Sequence, residues 1–547
     1  MDNIIIKPNM KIGHLDAESD HKFLSECYVD KKSMDLLINA GDSEALILGR
    51  TGAGKTASLL KIKEKVDSER SKIINLEEIF LKYIDNSNII KFLSDLNINL
   101  ELFYKYLWRH ILTIELLKLK YPKINDKNKF SQLIQELRNL IRRTEEKSAL
   151  HYLEQWSDKY WIESVENIEE IVKKFTKDVK AGFDASLFES KITAEAAKNI
   201  TEDQKSQIEN RVRNIVSDLQ ITELSKVISL LNEHIFTDNK KPYYILMDRL
   251  DENWVSIDVK YSLIKSLIEE IKYFRNINNV KILVSLRLDL YQLTLDKVSS
   301  HGFQEEKLSS YIYKLNWTDK ELKEIVDKRI NFLFKHQYSN NMDITFEDIF
   351  PSTVNNRNRD PWQYLITRTF WRPRDILQFI NYCLEQAVDK SCIEWGSIHK
   401  AEKEYSKNRL KNLNEEWQDI YESLKYTAYL ISNCDEVLSI DGFKAMVSDD
   451  ALINIYPLLK KENITDSVAL VVYEYIDHNG SKEDIITELI GCFYRIGIIG
   501  VSDMYPDSFD WSFRNMSYKT SFECSRTSYI KIHKMFHQAL RISITSV

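Results

Sequence analysis

The chain has 547 residues, with 76 Lys and Arg against 83 Asp and Glu, for a formal net charge of −7. That length predicts two or three domains rather than one core, and 43% hydrophobic against 29% charged residues excludes wholesale disorder. The mildly acidic balance excludes a globally basic nucleic-acid coat and leaves only local basic patches open.

Gly is scarce at 13 and Pro at 8, so long helices are expected and any cluster of Gly is informative. Cys27, Cys383, Cys392, Cys434, Cys492 and Cys524 form no C-x-x-C pair. They predict neither a disulfide framework nor a zinc ribbon, and a reducing, cytoplasmic setting is expected. The opening MDNIIIKPNMK lacks a basic stretch followed by an apolar one, so no signal peptide is expected. No apolar run approaches the roughly 18 residues of a membrane span, so no membrane contact is expected.

Residues 1–40 are read as an N-terminal segment packing on a core that starts at 41 and runs to 300. Ala45 to Leu48 suits a buried strand. Gly49-Arg50-Thr51-Gly52-Ala53-Gly54-Lys55-Thr56 then fits G-x-x-x-x-G-K-[ST], and Ala57 opens a helical pattern. Such a loop must curl until its N–H groups point at phosphate oxygens, which requires small residues. The following helix adds the positive end of its dipole. Residues 49–57 are therefore expected to bind ATP, with Lys55 on the outer phosphates and the Thr56 hydroxyl on Mg²⁺.

Lys55 and the next acidic strand end lie far apart in sequence, and a helical insertion over 85–240 accounts for the gap. Trp161, Val165, Ile168, Ile171 and Phe175 share one helical face, as do Ile208, Val212, Ile215 and Leu219. Val179 to Leu187 alternates and suggests a short β excursion. The insertion's charges read first as solvated helix faces, with a partner-binding or oligomerisation surface as the alternative.

Tyr243 to Met247 is continuously apolar, as a parallel strand covered on both faces should be. Asp248 ends it, placed to hold the metal. Asp251 and Glu252 follow, and either can orient or deprotonate an attacking water. Val280 to Arg287 reads as another core strand with Ser285 and Arg287 at its C-terminal end, where ligands of open α/β sheets collect. Arg287 is read equally as a sensor of the γ-phosphate and as the salt-bridge partner of Asp289 or Asp296.

Residues 301–407 are again helical, interrupted by NNRNRDPW at 355–362, and are expected to form a lid. Arg374 opens the helix DILQFINYCLEQA. From 408 on, helical stretches around Trp417–Ile431 and Ile453–Tyr475 lead to a strand-like run, Ile496 to Val501. Alternating aromatics follow at Phe509 to Arg514, and a closing helix lies near IHKMFHQALRI. Lys519, Arg526, Lys531 and Lys534 are scattered, so protein contact is as well supported as DNA contact. His533 and His537, at i and i+4, lack a third ligand and read as helix-face histidines.

GRTGAGKT, ILMDRLDE and VSLR followed by LDLY resemble P-loop ATPases of the STAND and KAP groups, on the AAA+-like branch. That resemblance implies an α/β P-loop NTPase core, Asp251 as the catalytic base and a sensor arginine on the strand ending at Arg287. Trp371-Arg372-Pro373-Arg374 looks like the KAP lid motif, which implies that Arg374, in preference to Arg372, approaches the nucleotide. The helices and two-stranded wing after 408 resemble a winged helix. Gly13 to Glu18, Leu315-Asn316-Trp317 and Asp327-Lys328-Arg329 are similar to a little-characterised FunZ-like P-loop ATPase family. The resemblance implies slow, regulatory ATP hydrolysis, a protein partner or further copies of the chain, and a place among ATPases of bacterial anti-phage defence or signalling. One departure stands out. Arg249 occupies the position where AAA+ proteins carry Glu. The expected function is an ATP-driven switch or assembly module. An ATP-binding scaffold with little turnover is the alternative, and a nucleic-acid motor is the weakest reading.

Overall fold

The computed structural model describes residues 4–75, 98–120, 150–154, 202–215, 218–238, 240–251, 257–297, 305–338, 343–352, 360–504, 508–514 and 519–544, with a few single positions between them. The chain divides into two compact units. One comprises Asp30–Gly49 and Lys55–Leu315, the other Met1–Val29, Arg50–Gly54 and Asn316–Val547.

The first unit is built on five strands, β1 (Leu46–Gly49), β2 (Ser71–Asn75), β3 (Tyr243–Asp248), β4 (Val280–Arg287) and β5 (Ile312–Lys314). They pair in parallel in the order β2-β3-β4-β1-β5. Every residue of β1 is buried, and β3 and β4 are buried up to their last residues, Asp248 and Arg287. A sheet covered on both faces favours such largely apolar runs, and β4 admits buried Lys281 and Ser285 because each has hydrogen-bond partners. In the register, Gly49 faces Arg287 and Asn75 faces Asp248. The C-terminal ends of β1, β3 and β4 therefore line one edge.

Helix α1 (Lys55–Lys65) follows the glycine-rich loop, and α2 (Glu101–Lys120) falls within the expected insertion. Further on come α3 (Glu202–Ile215), α4 (Asp218–Leu230), α5 (Ile257–Phe274) and α6 (Leu288–Lys297). Buried Arg109 of α2 holds Glu270 of α5 through two bonds of 2.6 and 2.8 Å, and reaches Ser225 of α4 at 2.8 Å. Trp108 donates to the Leu263 carbonyl at 2.9 Å. The expected helix around 161–175 and the alternating stretch 179–187 lie outside the described residues. At the opposite sheet edge, buried Lys281 donates to the carbonyls of Leu36, Asn39 and Asp42 at 3.1, 3.0 and 2.8 Å.

In the second unit, α7 (Asp319–Tyr338), α8 (Pro373–Glu385) and α9 (Trp395–Trp417) occupy the stretch expected to form a lid. Residues 4–29 are woven into it. Ile6 and the 389–390 turn exchange backbone bonds of 2.8 Å, the Asn381 amide holds Ile12 N and Gly13 O, and Arg329 pairs with Asp20 at 2.6 Å. The C-terminal part carries α10 (Asp449–Lys461), α11 (Ser467–His478) and α12 (Lys482–Ile496). It also carries an antiparallel sheet, β6 (Val437–Ser439), β7 (Ile499–Ser502) and β8 (Tyr529–Ile532), in the order β6-β8-β7.

Three details differ from the sequence reading. The antiparallel sheet expected to have two strands has three, because Val437–Ser439 pairs with β8. The aromatic stretch 509–514 makes one bridge, Val501 to Asp510, and then turns. The expected closing helix near 532–542 is present but short, a 3₁₀ turn over Lys534–Phe536 followed by the single-turn helix His537–Leu540, and it is preceded by strand β8, whose Ile530 and Ile532 are buried.

Candidate nucleotide site

The loop between β1 and α1 bends at two glycines in the left-handed region, Gly52 at φ 76° and Gly54 at φ 95°. Any other residue is strained there. A Cβ at Gly52 would also sit 2.7 Å from Cβ of Arg374. Lys55 opens α1 and donates back to the Gly49 carbonyl at 3.2 Å, with Thr56 and Ala57 in the same first turn.

Burial pushes the Lys55 ammonium below its usual pKa, and Asp251 and then Asp248 pull it back up, with smaller effects of Arg287 and Asp289. One lysine from the loop and four charged side chains from the ends of β3 and β4 thus share one electrostatic neighbourhood. Asp248 accepts a hydrogen bond from Ser285 Oγ on the adjacent strand. Arg249 follows at φ 63°, an uncommon conformation for a residue with a bulky side chain, and it turns the chain sharply after the carboxylate.

Arg287 is gripped by Asp289 through two bonds of 2.6 and 3.2 Å, and its Nε lies 3.8 Å from Oδ2 of Asp251. Of the two roles weighed for Arg287, the ion pair with Asp289 is formed. Asp296's side chain and Glu252 lie outside the described residues. The set contains two hard oxygen donors, the Thr56 hydroxyl and the Asp248 carboxylate, which suits Mg²⁺. Its left-handed glycine backbone suits phosphate.

Residues Arg50–Gly54 group with the lid. Arg372 donates to the Thr51 carbonyl, Arg374 N to the Gly52 carbonyl at 3.3 Å, and Trp317 Nε1 to the Ala53 carbonyl at 2.7 Å. Arg372 is buried against Asp375 at 2.8 Å, and Arg409 lies 3.4 Å from Asp375 and 3.2 Å from Glu416. Burial pushes the Asp375 and Glu416 carboxyls up, but Arg372 and Arg409 outweigh it and hold both below the usual range. Arg374 is more exposed and lies 4.0 Å from Glu416. The expectation singled out Arg374. Both arginines touch the loop, Arg372 by its side chain and Arg374 by its backbone.

Sequence reasoning missed the roles of Ser285, Trp317, Arg409 and Glu416. Ser285 had been noted at its strand end, and Trp317 stands directly after β5. Arg409 and Glu416 lie seven positions apart on one face of α9, a signal that points to a helix face but names no partner. His533 and His537 are buried and engaged locally. His533 Nδ1 accepts from Met535 N at 3.2 Å, and His537 Nε2 lies 3.2 Å from the Ile532 carbonyl. Among the described residues no cluster of three His, Cys, Asp or Glu is placed to hold a metal ion, and no helix is long and apolar enough to cross a membrane.

Residues 320–414, which cover most of α7 to α9, match the family model of the FunZ-associated C-terminal helical domain. The match takes in the lid region and leaves the phosphate loop and the sheet outside it. Among solved structures, that of Cdc6p from Pyrobaculum aerophilum is similar at 13% identity over 95% of this chain and 99% of that one. Its TM-score of 0.29 is too low to bear on fold or function. No curated protein matches the chain.

Proposed function

We propose that the chain is an ATP-binding and ATP-hydrolysing P-loop ATPase that works as a nucleotide-dependent conformational switch or assembly module. The observation that carries this reading is the shared neighbourhood of Lys55, Asp248, Asp251, Arg287 and Asp289 beside a left-handed glycine loop. ATP with Mg²⁺ supplies the phosphoryl group and the charge to be stabilised. The loop amides and Lys55 bind the phosphates, while Thr56 and Asp248 hold the metal. Asp251 orients the attacking water and takes its proton, with Glu252 as the alternative base. Arg287, released from Asp289, answers the γ-phosphate charge. Catalysis on this reading is positioning and charge stabilisation, without a covalent step.

The motifs GRTGAGKT and ILMDRLDE favour the STAND and KAP groups as the setting. The helices around the β6-β8-β7 sheet favour a winged-helix-like module that contacts protein. Lys55→Ala is expected to abolish nucleotide binding or turnover, and Asp251→Asn to keep binding while stopping hydrolysis. Unchanged turnover in purified Lys55→Ala protein overturns the reading. One observation favours the second reading, an ATP-binding scaffold with little turnover. Arg249, not a carboxylate, follows Asp248 in a left-handed turn, and Asp251 already faces Arg287. Sustained phosphate release by the wild-type protein excludes it.

A further inference from the structure

The second unit holds the phosphate loop by its carbonyls. A peptide is planar, so the carbonyl of one residue and the N–H of the next point in opposite directions within one rigid plate. Donors on the carbonyls of Thr51 and Ala53 therefore also aim the N–H groups of Gly52 and Gly54. Those donors are Arg372 and Trp317, while the Arg374 amide takes the Gly52 carbonyl.

Arg50 carries the grip into the C-terminal part of the same unit. Its Nη2 donates to the Arg495 carbonyl and to Ser512 Oγ, both at 2.9 Å, and Ser512 Oγ donates to the Arg495 carbonyl at 3.2 Å. Arg495 lies in the last turn of α12, whose final carbonyls form the negative end of the helix and attract a cation. Gly497 caps α12 at φ 94°, and a Cβ there would meet Phe370 at 3.0 Å and Arg50 Nη1 at 3.4 Å. Phe370 packs against Phe513 at 4.9 Å, and the Arg50 guanidinium lies 6.0 Å from the Phe370 ring.

We propose that this carbonyl-side grip couples phosphate binding at the loop to the C-terminal module. Docking of Arg50 on Arg495 and Ser512 pre-aims the loop amides, and phosphate binding in turn tightens the end of α12 and the Trp511–Arg514 turn. The coupling must be reciprocal. It rests on the ATP reading above and extends it, by naming where in the chain the nucleotide state is felt.

The test pairs titration of a fluorescent ATP analogue with hydrogen exchange, using the full chain. In the wild type, saturating MgATP is expected to slow amide exchange severalfold in Tyr494–Val501 and Trp511–Arg514. Ser512→Ala is expected to weaken analogue binding about fivefold, the equivalent of one lost hydrogen bond. If wild-type protein binds the analogue and exchange in both segments is unchanged, or if folded Ser512→Ala binds as tightly as wild type, the coupling is overturned while the ATP reading stands. If wild-type protein binds no analogue, the ATP reading fails and the coupling fails with it. Should Ser512→Ala not fold, the wild-type exchange measurement decides alone.

Discussion

Ser285 Oγ donates a hydrogen bond to Asp248 Oδ1 across two neighbouring parallel strands. A hydroxyl from β4 thereby fixes the rotamer of the carboxylate assigned to Mg²⁺. Ser285→Ala removes that donor without opening a large cavity. The concentration of Mg²⁺ giving half-maximal ATP turnover is expected to rise about fivefold, in line with a loss of about 1 kcal/mol. Phosphate release measured across a Mg²⁺ series checks it, and an unchanged midpoint would show that Asp248 needs no such support.

The two lid arginines should differ sharply in their effect on stability. Arg372 is buried beside Asp375, which is fully buried. Arg372→Met leaves that carboxylate facing Arg409 alone, and removing one partner of a buried pair costs about 3–5 kcal/mol. Arg374→Ala, at a side chain that is about one-third exposed and 4.0 Å from its acid, should cost less than about 1 kcal/mol. Urea unfolding of both variants separates the two.

Gly52 is constrained twice, by its left-handed φ and by the Arg374 Cβ that a side chain would meet at 2.7 Å. Gly52→Ala is expected to weaken nucleotide binding about tenfold or more, given a strain of roughly 1–2 kcal/mol at that φ together with the steric clash. The same strain is present without nucleotide, so the melting temperature should fall by a few degrees as well. Nucleotide titration alongside a thermal melt is the check.

Stability should fall on mild acidification. Burial pushes His110 down to about 3 and drives His533 well below its usual value. An unfolded histidine takes up a proton near pH 6.5 while each folded one stays neutral, so stability is full above that value and is lost as pH falls through 6.5 towards the folded values. At pH 5.5 the His110 contribution costs roughly 1 kcal/mol relative to pH 7.5. His110 acts on the unit that carries the five-stranded sheet, and His533 on the other. Denaturant unfolding at the two pH values, repeated with His110→Gln, should show the acid sensitivity of the sheet unit shrinking by about that amount.

The parts of the fold governed by local pattern were legible in the sequence. The apolar runs ending at Leu48 and Met247, and the run to Leu286 interrupted by Lys281 and Ser285, are what a doubly covered parallel sheet favours, and the glycine loop reads as a sharp turn between strand and helix. The C-terminal end was less legible. Ile530 and Ile532 make too short a run to announce a strand, and what fixes it is the pairing of Ile530 with Leu438 and Val501 and of Ile532 with Ile499. Asp251 and Arg287 were identified, but their mutual approach was not, because an ion pair between two strand ends leaves no periodic trace. The same holds for Arg50, whose partners at Arg495 and Ser512 lie more than 400 positions away.

The unit that contains Arg50–Gly54 joins segments far apart in sequence, since residues 4–29 lie against α7 and α8 and the loop's hydrogen-bond partners run as far as Ser512. A ribosome delivers residues 4–29 and the glycine loop long before Ser512. The nascent loop therefore acquires its full set of hydrogen-bond partners only after the Trp511–Arg514 turn has left the exit tunnel.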